Sequence, residues 1–439
     1  MNKLLYALIA TVLVACNVKS SEDNLAASTE SLSSLEQDIL STFQDVDSVL
    51  KLDNGVMWGE KLNGPIIIVD ADTRVFYSNE DSDIKGFKAV GSIFTDSLPD
   101  AINTANTALN WNGKRWSMLV LPLPERGVAR NNLVIHELFH RLQPAIGFDS
   151  LQERDNAHLD TYQGRLLLRL ELQALEKALL ADDDSLRLQH IENALMFRDR
   201  RQATPELKEA ENSLELNEGL AEFTGLMLSG RDNAAIITHL IESKNVFFEN
   251  PTFVRSFAYQ TVPIYGFMLN SILPGWHRQI HKGTNLSDFF VEKFSVSIDE
   301  NSSIDTIAMS NDYSYEQILN QEREREKMRL EKIAQLKVKF SEKPVLELPF
   351  QNMNISFDPR NITPLEELGT VYPNLRVTDN WGVLTVTDGA LLASDWSKVT
   401  VSAPKKISIS QVSGSGWQLE LAPEWQVVET ADGFQLSKR

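Results

Sequence analysis

Apolar positions along this chain change their period twice, and each stretch predicts a different kind of structure. Leu35 opens an amphipathic segment. After it, Gly64-Pro65-Ile66-Ile67-Ile68-Val69 and Arg74-Val75-Phe76-Tyr77 flank the turn Asp70-Ala71-Asp72-Thr73, which predicts a β-hairpin. Arg115-Trp116-Ser117-Met118-Leu119-Val120-Leu121 predicts one more strand. From Asn131 the apolar spacing lengthens to that of helices, with two predicted over 160–180 and 185–201. Glu322 to Lys332 mixes charge signs and predicts one solvated helix. After Pro344 the runs shorten to Leu375-Arg376-Val377, Val383-Leu384-Thr385-Val386, Val399-Thr400-Val401, Ile407-Ser408-Ile409 and Trp417-Gln418-Leu419-Glu420-Leu421, as in a small β-sandwich or barrel. The expected fold class is α+β: an N-terminal α+β part over 35–130, a mainly helical part over 131–343, and a small all-β C-terminal domain over 344–439.

The beginning of the chain reads differently. Met1-Asn2-Lys3 precedes an apolar run from Leu4 to Ala15, too short for a permanent membrane span, and residues 1–15 are expected to be a secretion signal. Its end, Leu13-Val14-Ala15-Cys16, resembles a bacterial lipobox. That resemblance implies cleavage before Cys16, lipid attachment at Cys16 and a place in the bacterial cell envelope. Asn17 after the cysteine implies sorting to the outer membrane, on its periplasmic side or at the surface. Cys16 is the only cysteine, so neither an internal disulfide nor a thiolate metal cluster can form. Residues 16–34 are polar and Ser-rich, as suits a flexible tether.

Composition narrows the partners. The formal net charge is −19, with 42 Lys and Arg against 61 Asp and Glu. So acidic a surface argues against nucleic acid and against flat adhesion to anionic lipid, leaving the N-terminal lipid as the membrane contact.

The candidate chemistry lies in Val134-Ile135-His136-Glu137-Leu138-Phe139-His140-Arg141-Leu142. On a helix, His136 and His140 share a face and can reach one metal, while Glu137 beside them can handle a water proton. The apolar Val134, Ile135, Leu138, Phe139 and Leu142 are what a buried helix needs. Arg130, Asn131 and Asn132 offer caps before the run, and Pro144 ends it. The pattern predicts Zn²⁺ as cofactor, and two histidines require a further protein ligand.

Downstream, Glu215-Leu216-Asn217-Glu218-Gly219-Leu220-Ala221-Glu222-Phe223 supplies candidates. Together the two motifs resemble those of the gluzincin metallopeptidases, the thermolysin-like and aminopeptidase N-like enzymes with a zincin-like fold. The resemblance implies Glu218 as third zinc ligand, Glu222 as the carboxylate holding His136, and a peptide or protein substrate. Ser256 to Gly266 resembles the tyrosine segment of aminopeptidase N-like enzymes, which implies that Tyr259 stabilises the oxyanion; Val262 stands where that family has Gly. The interval from His140 to Glu218 is several-fold longer than in those families, and the two helices predicted above fill it. Zincins commonly keep an edge strand that pairs with extended substrate, a role open to the 115–121 strand.

The residues leave rivals. Glu171 and Asp160 are alternative ligands, and Tyr265, His277 and His281 are alternative oxyanion donors. The expected function is a zinc-dependent peptidase at the cell envelope, acting on a protein bond or on another amide such as a peptidoglycan stem peptide. The alternative is a non-catalytic envelope lipoprotein whose C-terminal β domain binds a cell-wall component or protein partner. Trp381, Trp396, Trp417 and Trp425 would then offer a carbohydrate-stacking surface.

Overall fold

A computed structural model of the chain describes residues 32–152, 154–299, 302–357, 362–430 and 433–439. The expected signal segment, Cys16 and most of the tether lie outside the described residues. The architecture is mixed, largely helical, with several β-sheets and a C-terminal β region.

Helix α1 (Ser34–Asp53) starts at a capping box: the Ser33 hydroxyl accepts from Glu36 N–H, and the Glu36 carboxylate accepts from Ser33 N–H. Its apolar face buries Ile39, Phe43, Val46 and Leu50. A six-stranded sheet follows, built from β1 (Ile66–Val69), β2 (Val75–Ser78), β3 (Lys88–Val90), β4 (Ile93–Ser97), β5 (Thr107–Trp111) and β6 (Lys114–Val120) in the order β3-β4-β2-β1-β6-β5. β1 and β2 form the expected hairpin, with Val69 opposite Phe76. The period-2 alternation splits the sheet between two cores. Ile66, Ile68 and Leu119 join the helices, while Ile67, Val69, Phe76, Trp116 and Met118 form a second cluster with Phe87 and Leu98.

The 115–121 strand, to which the sequence leaves the role of pairing with substrate open, is interior. β6 pairs in parallel with β1 and antiparallel with β5, so β5 is the edge. β5 and β6 join through Asn112-Gly113, both at positive φ (52° and 89°), the two-residue turn that matches the twist of a hairpin.

The helical part runs through α2 (Val128–Leu142), α3 (Tyr162–Leu180), α4 (Asp184–Arg201), α5 (Pro205–Leu214), a π-helical turn at Glu215–Gly219, α6 (Leu220–Leu228), α7 (Asn233–Phe248), α8 (Ala258–Ile272), α9 (Leu286–Phe294), α10 (Ile304–Ser310) and α11 (Tyr315–Ser341). α2 begins earlier than the sequence suggested, after Gly127, so Arg130, Asn131 and Asn132 sit inside the helix rather than capping it. α11 is not solvated throughout. Its Glu322 is buried and accepts from Arg165 (2.8 Å) and Arg169 (2.7 Å) of α3. No helix among the described residues is long and apolar enough to cross a membrane.

The C-terminal strands, β7 (Val345–Pro349) to β19 (Gly433–Lys438), form a seven-stranded and a six-stranded sheet around one apolar core. Three of the four candidate stacking tryptophans belong to that core. Trp381, Trp417 and Trp425 are buried, and the first two donate their ring N–H to Pro349 O and Ser402 Oγ. Trp396 alone is exposed, so the four make no stacking surface.

Candidate metal centre

Two helices and one turn assemble the centre. α2 presents His136, Glu137 and His140, and is fixed on the sheet by Ser117, whose hydroxyl donates to Glu137 O (3.0 Å), and by Arg115, which donates to His140 O (3.2 Å) and Arg141 O (3.1 Å). A guanidinium at the last carbonyls of a helix also meets the negative end of its dipole. Against α2 lie the π-helical turn, which carries Glu218, and α6, which carries Glu222. Glycines permit the close packing. A Cβ at Gly225 would stand 2.6 Å from Asn132 O on α2, and one at Gly219 would stand 2.5 Å from Val262 Cγ2 on α8. A π-turn in a helical run changes which residues face the neighbouring helix, and such turns concentrate at functional sites.

His136 Nε2, His140 Nε2 and Glu218 Oε2 form a triangle with edges of 3.0, 3.3 and 3.4 Å. A tetrahedral zinc with ligand bonds of about 2.0–2.1 Å separates its ligand atoms by about 3.3–3.4 Å, so the donor set fits. The outer hydrogen bonds fit as well. His136 Nδ1 faces Glu222 Oε2 at 3.0 Å, and a carboxylate can only accept, so Nδ1 carries the proton. His140 Nδ1 faces Gln143 Oε1 at 2.9 Å. The Gln143 amide cannot be reversed, because its Nε2 donates to Asn217 O (3.0 Å) and Asn217 Oδ1 (3.2 Å). In their neutral forms both imidazoles therefore aim Nε2 lone pairs at Glu218, an arrangement that repels itself unless a metal cation stands between them or an imidazole takes up a proton. This is the one group of three or more metal-ligating side chains brought together among the described residues.

With no metal between them a proton takes the cation's place: burial opposes a charge on His136, yet Glu218 and Glu222 raise its pKa to about 10. Glu218 and Glu222 are themselves held below the ordinary carboxylate range by the histidines, against burial. Glu222 also accepts from Asn132 Nδ2 (2.9 Å), and Glu218 from Asn217 Nδ2 (3.0 Å). Glu137 is 4 % exposed, burial pushes its carboxyl up, and its Oε2 has no hydrogen-bond partner. An acceptor left without a partner in such a place suits a proton acceptor for a reacting water.

Tyr259 stands over the cluster. Its hydroxyl donates to Glu218 Oε2 (2.5 Å) and its ring stacks on His136 with centroids 5.4 Å apart. Burial, then Glu218, pushes its hydroxyl far above the phenol range, so it remains a neutral donor.

The rivals are occupied elsewhere. Glu171 is fully buried and pairs with Arg198 and Arg201 while accepting from Tyr265 OH (3.0 Å), which removes both Glu171 and Tyr265 from the centre. Asp160 accepts from Phe253 N–H (2.9 Å). His277 Nε2 bonds Met57 O (2.8 Å), and His281 Nδ1 accepts from Gly283 N–H. None of these five lines the cleft over the centre, which measures about 610 Å³ and is bordered by Asn106, Thr107 and Ala108 at β5 and by Arg115, Gln143, Asn217, Arg255 and Tyr259.

Sequence reasoning missed Gln143, although its i,i+3 spacing from His140 was a usable signal. Outer partners of metal-binding histidines typically govern affinity by 10–100-fold. Gln143→Leu is accordingly expected to weaken zinc binding by about that factor without unfolding the chain, as measured by competition against a chelator. Unchanged affinity would show that the amide does not orient His140.

Comparison with known protein families, curated proteins and solved structures finds no match to this chain.

Proposed function

We propose that this chain is a zinc-dependent peptidase of gluzincin type, with a zincin-like catalytic part, held at the bacterial envelope by lipid on Cys16. The observation that carries the reading is the triangle of His136 Nε2, His140 Nε2 and Glu218 Oε2, with both imidazole tautomers set by Glu222 and Gln143. Zn²⁺ held there would supply Lewis acidity toward water and the scissile carbonyl. Glu137 takes the water proton and passes it to the leaving amine. Tyr259, turning its hydroxyl from Glu218, donates to the oxygen on which negative charge develops. Thr107 and Ala108 at the open edge of β5 border the cleft, where an extended peptide adds as a further strand. Backbone pairing of that kind supports peptides in general rather than one sequence.

The test is zinc content by elemental analysis on the chain beginning after Cys16. Wild type is expected to hold one zinc per chain and Glu218→Ala to hold little or none. A wild type that takes up no zinc on metal addition would overturn the proposal.

A further inference from the structure

Glu222 holds His136, and Glu222 is itself held from outside the cleft. Its Oε2 accepts from His136 Nδ1 (3.0 Å) and its Oε1 from Asn132 Nδ2 (2.9 Å), so both carboxylate oxygens are engaged. Asn132 is buried on α2, one turn before His136. Gly225 on α6 leaves the room that this contact needs, since a Cβ there would stand 3.0 Å from Asn132 Nδ2 as well as 2.6 Å from Asn132 O.

A side-chain amide has two faces, and only one of them serves here. Turned over, Asn132 would present Oδ1 to Glu222, an acceptor against an acceptor, and the carboxylate would be pushed from its place. Arg231 prevents this. Its Nη1 donates to Asn132 Oδ1 (3.1 Å) and to Val128 O (3.3 Å). A guanidinium can only donate, so Oδ1 faces Arg231 and Nδ2 faces Glu222. Arg231 stands in the turn between α6 and α7, and Asn131 ties the same turn to α2 by donating to Ser229 O (3.2 Å). The asparagines that the sequence offers as helix caps therefore join α2 to this turn. Neither Arg231 nor Asn132 is among the side chains lining the cleft.

We infer that Arg231 and Asn132 are positioning residues of the metal centre, resting on the zinc reading for the ion that is held. Arg231 sets the amide of Asn132, the amide sets Glu222, and Glu222 fixes the His136 tautomer that leaves Nε2 to the metal.

The test is a double-mutant cycle on the chain beginning after Cys16, with zinc affinity measured by competition against a chelator and urea unfolding of the metal-free proteins followed beside it. Asn132→Leu and Arg231→Met are each expected to weaken zinc binding by about tenfold, the lower end for outer partners of metal-binding histidines. The double variant should bind about as weakly as Asn132→Leu alone, because Arg231 acts through an amide that is no longer present. Arg231→Lys keeps a donor and should recover part of the affinity. A second readout follows the tautomer directly. The His136 Nδ1 proton, observed by NMR on histidine-labelled protein and assigned by its absence from His136→Asn, should exchange with water faster in Arg231→Met, with or without metal. Wild-type affinity and unchanged exchange in Arg231→Met overturn the inference, as do losses in the single variants that multiply in the double one. Weaker zinc binding matched by an equal loss of stability, with the ring proton unchanged, makes Arg231 only a tie between α2 and the turn and also overturns it. A wild type that takes up no zinc removes the peptidase reading, and the ring proton of the metal-free protein then decides this one.

Discussion

Glu137→Gln is expected to keep one zinc per chain and to lose about 10³-fold of the hydrolytic rate, roughly 4 kcal/mol of transition-state stabilisation. The substitution preserves shape and removes only the ability to take a proton. Glu137 is not among the three ligand atoms, so metal content should not change. Its Oε2 is buried without a partner and its carboxyl shares the pocket with Glu218 and Glu222, so replacing the charge relieves repulsion and leaves the fold at least as stable. The pairing of full zinc, unchanged or raised Tm and lost turnover separates a proton acceptor from a structural residue. Loss of zinc in the variant would make Glu137 part of the coordination, and retained turnover would remove it from the chemistry.

How much of this was legible in the sequence depends on the range of the interaction. Helical spacing is a local signal, so the two helices predicted over 160–180 and 185–201 match Tyr162–Leu180 and Asp184–Arg201 within two residues. The same signal placed His136 with His140, and Glu218 with Glu222, on common faces. Long-range pairing left no such mark. Glu322 looked like part of a solvated run because its partners, Arg165 and Arg169, lie far back in the chain. Glu171 looked like a ligand for the same reason, since a buried carboxylate on an apolar helix has identical sequence context whether it meets a metal or two arginines. The edge strand was missed because Thr107-Ala108-Leu109-Asn110-Trp111 carries little alternation, although Asn112-Gly113 was a hairpin signal within reach. Tryptophans in short β-runs have the same composition whether they face a core or a glycan, and here three of four face the core.

Arg198→Met is expected to produce the largest loss of stability, about 3–5 kcal/mol by urea unfolding, the usual cost of stranding a buried charge. Arg198 and Arg201 are buried among the carboxylates of Glu171, Glu211 and Glu215, all three fully buried. Arg198 grips Glu215 with both terminal nitrogens and also donates to Ser287 Oγ (2.6 Å), while Glu215 accepts from Thr261 (2.5 Å) on α8. Removing Arg198 leaves three carboxylates around one guanidinium. Because Glu215 opens the π-helical turn that carries Glu218, the variant should also bind zinc more weakly. The double variant Arg198→Met/Glu215→Gln removes a charge of each sign and should recover part of the loss, whereas independent contributions would simply add. The pH dependence has a definite sign. Burial opposes the charge on Glu211, but Arg201, His158 and Arg198 hold its carboxyl well below the ordinary range. Its stabilisation is therefore complete above about pH 4.3 and fades as pH falls toward the depressed folded value. The deficit of Arg198→Met should be largest near neutral pH and narrow in acid, because Glu211 without Arg198 is held less far down and so loses less stabilisation than in wild type as pH falls. A deficit that did not change with pH would mean that the lost stability came from packing around the Arg198 side chain and not from its charge. Glu171→Ala likewise disturbs folding, not ligation, because it strips Arg201 and Tyr265 of a buried acceptor.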